Sequence, residues 1–265
     1  MNWTLYKREM KKSWKLLLIF ATVLTMYISI IINMYDPEMM KMLDGFETIM
    51  PEVMAAVGMS SGANNLIGFM VSYLYGFILL IFPMLFSILR GNGLVSQYVD
   101  RGSMTSLMAA PVKRKEIAIT QMTVLISGIF TLVVYSTVLE LVCAQILFPG
   151  ELQVAQLLRL NLGLLCLQLF IGSICFTASC AFSETGRSIG FGAGIPALMY
   201  IIQMLANVGG KAENAKYFTF FSLFSPENIV KGDGCAILGI IILFLAAVAM
   251  YVGGIMIFDR KDLYI

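Results

Sequence analysis

The sequence predicts an all-α membrane protein with six transmembrane helices in a single domain. Of its 265 residues, 59% are hydrophobic and 13% are charged, and the mean hydropathy is +0.85. Soluble domains carry about 45–50% apolar and about 25% charged residues, so this composition is typical of a polytopic membrane protein. Six apolar runs also approach the length of about 17–25 residues that a helix needs to cross a bilayer.

The runs divide the chain into spans and connections. We expect spans at about residues 16–32, 66–89, 117–141, 158–182, 188–208 and 235–258. The connections are a basic loop at 90–116, two longer loops at 33–65 and 209–234, and two short turns. The first run is followed by Asn33-Met34-Tyr35-Asp36-Pro37 rather than by a small-residue cleavage site, so we expect it to remain as a span.

The N-terminal segment 2–15 is amphipathic at helical spacing. One face carries aromatic residues and methionine (Trp3, Tyr6, Met10, Trp14), and the other carries five cations (Lys7, Arg8, Lys11, Lys12, Lys15). This pattern predicts an interfacial elbow helix, with its aromatic side in the membrane and its cations facing anionic lipid. The alternative is a basic flank that only orients the first span.

The distribution of charge sets the orientation. With six spans, 13 of the 18 Lys and Arg fall on the side of the two termini, and 10 of the 16 Asp and Glu fall on the other side. The positive-inside bias therefore predicts a multi-pass protein of the cell membrane with both termini in the cytoplasm. The loops 33–65 and 209–234 are then external, the first with amphipathic surface helices and the second with an aromatic cluster that dips into the interface.

Several kinds of chemistry have no residues to support them in this chain. It contains no histidine, no G-x-x-x-x-G-K-[ST] phosphate loop and no C-x-x-C pair. We therefore predict no catalytic residue, no metal site and no enzyme activity in this chain, and the net charge of +2 gives no indication of a nucleic-acid partner. Whether Cys143 and Cys235, both near the predicted outer face, form a disulfide stays open.

Small and polar residues recur at helical spacing within the apolar spans. Such stripes usually serve helix–helix contact, and the alternative is a translocation path, for which the candidates are Ser72 and Gly76 in the second span and Gln203 and Asn207 in the fifth. Ionisable residues are almost absent from the middle of the spans. Glu140 falls at the outer end of the third span, where we expect it to reach interfacial water. A proton- or sodium-coupled carrier would need an acidic relay, so the energy for transport should come from another subunit.

The loop between the second and third spans contains the most specific motif. Residues 100–117 read D-R-G-S-M-T-S-L-M-A-A-P-V-K-R-K-E-I. This run resembles the first cytoplasmic loop of permease subunits of type-2 ABC exporters, in which an acidic residue, a Gly-Ser or Gly-Thr pair, an apolar stretch, a proline and basic residues recur. The matching positions are Asp100, where Glu is more usual, and Gly102, Ser103, Leu107, Pro111, Lys113 and Arg114. The chain's end, with Lys261-Asp262-Leu263 where Arg-Asp-Leu is common, also resembles that family.

The resemblance implies a function and a set of partners. The loop, including Arg101, would form a short coupling helix that docks onto a separate cytoplasmic ABC ATPase, which binds ATP and magnesium, and this chain would hold no cofactor. A second permease subunit, identical or related, would complete the unit in the membrane lipid. The substrate would be amphipathic or hydrophobic, such as a peptide, drug or lipid-like molecule, and would leave the cell along a path lined mainly by the second and fifth spans.

Two other functions are compatible with the same sequence. The chain can be a non-transporting scaffold or sensor that recruits a cytoplasmic partner through the loop, in which case binding occurs without turnover. It can also be an ion-coupled secondary carrier. A buried acidic residue that is essential for transport, without dependence on ATP, would favour the carrier.

Overall fold

The computed structural model describes residues 1–35, 49–57, 65–100, 102, 113–208 and 210–261. These residues form helices and connecting turns, with no strand among them. Among the described residues, six helices are long and apolar enough to span a membrane, which confirms the predicted all-α, six-span architecture of a multi-pass membrane protein. They are Trp3–Asn33, 66–91, Arg114–Leu147, Val154–Ala181, Thr185–Asn207 and Gly234–Arg260.

The first span differs from the expected division into an elbow helix and a span. The interfacial position of residues 2–15 stays a prediction, but helix Trp3–Asn33 is continuous, so residues 3–15 and the first span form one helix. Two features explain this: no proline or glycine interrupts residues 3–33, and one buried stripe runs through both parts (Leu5, Glu9, Ser13, Leu17, Phe20, Leu24, Ile28, Ile32). The Asn2 side chain begins the helix by accepting a hydrogen bond from the N–H of Leu5.

The fourth span, Val154–Ala181, is the central helix of the bundle and the most buried of the six. The second, third, fifth and sixth spans all pack against it, and the first span packs against the third. Glycines permit the closest approaches. A Cβ added to Gly172 would lie 2.6 Å from Cδ1 of Ile129, and one added to Gly91 would lie 2.7 Å from Cβ of Cys175. Small residues at helix contacts are the expected mode of packing in a membrane.

The second span changes its helical geometry along its length. It is α-helical over Leu66–Met70, π-helical over Val71–Ile78 and α-helical again over Leu79–Gly91. Pro83 lies inside the last segment and lacks the N–H that would bond to the carbonyl of Leu79. Gln168 of the fourth span replaces it, because its Nε2 donates to the carbonyls of Leu79 at 3.3 Å and Leu80 at 2.9 Å.

The connections lie at two ends of the bundle, which we name the termini end and the far end. The termini end holds the start of helix Trp3–Asn33, the end of helix Gly234–Arg260 and the loop helix Ser96–Asp100. The far end holds the helix Pro51–Ala56 and the far-end segment, defined as the 3-10 turns Gly210–Phe218 and Phe220–Leu223 with the helix Pro226–Lys231. In that segment, Phe221 and Phe224 are buried whereas Tyr217 and Phe218 are exposed.

Candidate functional site

A cavity of about 470 Å³ lies at the far end, between the second span, the fifth span and the far-end segment. Its wall is formed by apolar side chains together with amides, hydroxyls and one residue of each charge (Ala55, Val71, Tyr75, Gly76, Leu80, Gln203, Asn207, Lys216, Phe221, Ser222, Phe224, Ser225, Pro226, Glu227, Asn228). A small-molecule site typically has this composition, an apolar surface with a few polar groups that fix orientation.

Three of the four residues predicted for a translocation path lie at this wall. They are Gly76 of the second span and Gln203 and Asn207 of the fifth. The fourth, Ser72, is buried in the bundle and is not among the lining residues.

The amide of Gln203 connects the fifth span to the far-end segment. Its Nε2 donates to Oδ1 of Asn207 at 2.9 Å, and its Oε1 accepts a hydrogen bond from the Thr219 hydroxyl. Thr219 is itself nearly fully buried. The two wall amides are therefore fixed in orientation by a hydrogen-bond chain that begins in the segment covering the cavity.

Glu140 does not reach solvent as expected but is completely buried, with a relative exposure of 0%. The hydroxyl of Tyr75 donates to its Oε2 at 2.8 Å, and Nδ2 of Asn161 donates to the same oxygen at 2.9 Å. Helix Arg114–Leu147 extends six residues beyond the predicted end of the third span at 141, so Glu140 falls inside the bundle. Tyr75 lines the cavity, which places the carboxyl group one side chain behind the cavity wall.

A second polar site lies at the termini end and joins the first span to the loop helix. Glu9 forms a buried ion pair with Arg90, at the end of the second span, and accepts a hydrogen bond from the Tyr98 hydroxyl of the loop helix. The exposed fraction of the side chain is 1% for Glu9 and 8% for Arg90. This cluster is not predicted from the sequence because Glu9 lies among five cations. Its spacing in the sequence indicates its burial, because Glu9 lies four residues after Leu5 and four before Ser13, on the buried stripe.

The turn after the second span is attached to the fourth and fifth spans. The hydroxyl of Ser179 accepts from the N–H groups of Val95 and Ser96, both at 3.0 Å, and donates to the carbonyl of Asn92 at 3.1 Å. The hydroxyl of Ser188, in the fifth span, donates to the same Asn92 carbonyl at 3.4 Å. We name this set of contacts the loop junction.

Gly192 brings the fifth span into direct contact with the loop junction. A Cβ added there would lie 2.0 Å from Oδ1 of Asn92, so only glycine allows this approach without displacement. The Sγ of Cys175 donates to the carbonyl of Gly192 at 3.1 Å, which adds a contact from the fourth span.

The predicted coupling residues are described only in part. Asp100 ends the loop helix, and its Oδ2 accepts from the N–H of Thr185, the first residue of the fifth span, at 3.4 Å. Gly102 has φ +66°, a conformation that favours glycine. Lys113 is exposed, whereas Nη1 of Arg114 donates to the carbonyl of Lys261 at 3.0 Å. The remaining predicted residues lie outside the described part of the chain: Arg101, Ser103, Leu107 and Pro111.

The end of the sixth span is fixed against the same region. Lys115 pairs with Asp259 at 3.3 Å, and Nζ of Lys261 donates to the carbonyl of Cys180 at 3.3 Å. Partial burial lowers the pKa of Lys261 from its usual value. The start of the third span and the end of the sixth are thus held together at the termini end.

Within the described residues, no group of three His, Cys, Asp or Glu side chains could hold a metal ion. All five cysteines are free thiols in the structure, so Cys143 and Cys235 are not paired. Comparison of the chain with models of known protein families, with curated proteins and with solved structures gave no match. The likeness to an exporter permease therefore rests on the residues quoted above.

Proposed function

We propose that this chain is the membrane permease subunit of an ATP-driven ABC exporter, energised by a separate cytoplasmic ATPase. In this proposal the termini end faces the cytoplasm, two permease subunits and two ATPases form the working unit, and an amphipathic or hydrophobic molecule leaves the cell. The observation that carries the proposal is the contact of the loop between the second and third spans with the start of the fifth span, through Asp100 to Thr185 and Asn92 to Gly192.

These contacts give the loop a mechanical route to the cavity. The loop helix follows directly from the second span and touches the fifth, and these are the two spans that line the cavity at the far end. Packed helices transmit displacements to their neighbours, so a displacement of the loop would reach the cavity through both spans. A cytoplasmic ATPase that moves the loop would therefore change the width of a cavity at the opposite membrane face.

The buried Glu9–Arg90 pair supports the same mechanism. It fixes the first span to the end of the second, and Tyr98 adds the loop helix to that unit. Because a buried ion pair is costly to separate, the first span, the second span and the loop helix should move together. A loop that only anchored a partner would not need this attachment.

The proposal is tested first by purification and then by paired glycine variants. The chain, purified in mild detergent from its host, should carry a stoichiometric ATPase with a phosphate loop, whose turnover responds to changes in the loop. Gly102→Val and Gly150→Val both place a branched residue at a positive φ, at +66° and +88° respectively, but only Gly102 lies in the loop.

We expect Gly102→Val to uncouple ATP hydrolysis from transport while the protein remains inserted, and Gly150→Val to leave coupling unchanged at a similar loss of stability. Equal coupling in the two variants would exclude the loop from the mechanism. If a partner binds the chain but loop variants change neither its ATP turnover nor transport, the chain would instead be a scaffold or sensor.

An ion-coupled carrier is a second candidate, and the burial of Glu140 favours it. A buried carboxyl group beside a cavity is the feature that such carriers use, and the sequence analysis did not place one there. Transport in reconstituted vesicles separates the two functions. A carrier would transport under an ion gradient without ATP and would stop in Glu140→Gln, whereas the exporter requires ATP and its ATPase.

A further inference from the structure

We propose that the carboxyl group of Glu140 binds a positively charged amine of an otherwise apolar molecule that enters the far-end cavity. The inference deepens the proposed function, on which it rests, by naming the chemical class of the transported molecule. It depends on the hydrogen bonds that Glu140 lacks, on the charges around it and on the position of Tyr75.

Two buried acceptor atoms, one in Glu140 and one in Asn161, have no hydrogen-bond donor among the described residues. Tyr75 and Asn161 both donate to Oε2 of Glu140, whereas its Oε1 has no hydrogen-bond partner. The Oδ1 of Asn161 is also buried without a partner, in a residue that is 4% exposed. Other buried polar atoms of the described residues also lack a partner, but these two acceptors belong to residues that contact each other next to Tyr75 of the cavity wall, so a donor that enters there can bond to them. An ammonium group has only donors and can satisfy both.

The charge of the cluster points in the same direction. Among the described residues, Glu140 forms no salt bridge, unlike the other fully buried carboxylate, Glu9, which is paired with Arg90. A buried carboxylate without a cation is destabilising, and at Glu9 the guanidinium of Arg90 provides the compensating charge. At Glu140 no described residue supplies such a charge, so a cation that enters the cavity could supply it.

Tyr75 provides the route from the cavity to Glu140. Tyr75 is one of the residues that line the cavity, it is itself fully buried, and its hydroxyl contacts the carboxyl group. It lies in the π-helical segment Val71–Ile78, a geometry that is rare and concentrated at functional sites. Conversion of one such turn to α-helix changes the rotation of the residues within it, which would move Tyr75 from between the cavity and the carboxyl group.

The cavity wall defines the rest of the ligand. Near Tyr75 it is formed by Val71, Leu80, Phe221 and Phe224, which accept an apolar body. A molecule with an aromatic or aliphatic body and one terminal amine can place its body in the cavity and its charge at Glu140. A neutral or anionic molecule of the same shape gains nothing from the carboxyl group.

The test measures binding to the purified full chain in detergent, without an ATPase. Three water-soluble probes of similar shape differ in charge: phenethylammonium, 2-phenylethanol and phenylacetate. We expect phenethylammonium to raise the thermal unfolding midpoint in a saturable, dose-dependent manner, and the other two to have no such effect. In Glu140→Gln its affinity should fall about tenfold or more, because a charge-assisted hydrogen bond is lost.

Two further variants keep the result decisive. Tyr75→Phe preserves the ring but removes the hydroxyl that donates to Glu140, so the amine should bind several-fold more tightly. This variant also tests the proposal if Glu140→Gln does not fold. Glu227→Gln tests the rival carboxylate at the cavity wall. Loss of amine binding in Glu227→Gln but not in Glu140→Gln, or an unchanged affinity in both Tyr75→Phe and Glu140→Gln, would overturn the proposal.

This experiment separates the inference from the proposed function. Amine binding that depends on Glu140 would stand even if Gly102→Val and Gly150→Val showed equal coupling, or if no ATPase were recovered with the chain. Coupling through the loop without amine binding would retain the exporter and reject the amine as its substrate class.

Discussion

The buried pair of Glu9 and Arg90 yields a quantitative prediction. Removing one partner leaves an uncompensated buried charge, which typically costs about 3–5 kcal/mol. Arg90→Met leaves Glu9 with only the hydroxyl of Tyr98, and Glu9→Leu leaves the guanidinium with a hydrogen bond to the Glu9 backbone carbonyl at 3.2 Å. Either single change should therefore lower the unfolding midpoint by roughly 6 °C or more, given about 2–4 °C per kcal/mol for a chain of this size.

The double variant Glu9→Leu/Arg90→Met distinguishes a coupled pair from two independent losses. Replacing a buried ion pair by apolar side chains of similar volume is often neutral, so the double variant should be more stable than either single variant. The assay is thermal unfolding of the four proteins in one detergent, analysed as a double-mutant cycle. Additive losses, or a single Arg90→Met variant within about 1 °C of the unaltered protein, would refute the coupling of the first span to the second.

Two other predictions concern helix contacts. Gly192→Ala forces a Cβ against Asn92, whereas in the control Gly190→Ala the Cβ meets nothing within 4 Å. Gly192→Ala should therefore lower the free energy of unfolding by about 1–3 kcal/mol relative to the control, as measured by thermal unfolding. Equal unfolding midpoints would contradict the close approach. Gln168→Leu leaves the carbonyl of Leu79, whose helical donor is missing at Pro83, without a donor and should cost about 1–3 kcal/mol. Adding Pro83→Ala, which restores one N–H, should recover part of that loss, and no recovery would contradict the proposed replacement.

The number and type of the spans could be predicted from the sequence because hydrophobicity and length set them directly. The limits of the first span could not. Residues 2–15 have the face pattern of an interfacial helix, and the pattern does not show whether a helix bends at its end. Glu9 was the informative residue, since a carboxylate on an apolar stripe requires a buried partner, but that partner, Arg90, is 81 residues away in the chain.

The cavity residues show a similar division. Gly76, Gln203 and Asn207 lie at the cavity wall and Ser72 lies in the bundle interior, but the spacing that suggested a path applies equally to helix contact, so their role in transport stays a prediction. Of the three glycines spaced two apart in the fifth span, Gly192 makes a close contact, whereas a Cβ on either of its neighbours in that series would meet nothing within 4 Å. Helical spacing groups residues on a face, and only the position of neighbouring helices determines which of them are in contact.

The second span links the two polar sites, and its construction suits that position. At the termini end Asn92 and Arg90 attach it to the first, fourth and fifth spans, and at the far end Tyr75 lies between the cavity and Glu140. Between them, Pro83 and the π-helical turns interrupt the regular ladder of backbone hydrogen bonds, and Gln168 supplies the missing donor from outside the helix. The bonds from the Gln168 side chain can be exchanged at lower cost than the backbone hydrogen bonds of a regular helix can be broken. Movement of the loop is therefore expected to change the geometry near Tyr75 before it separates the packed spans, which would couple the exposure of Glu140 to events at the termini end.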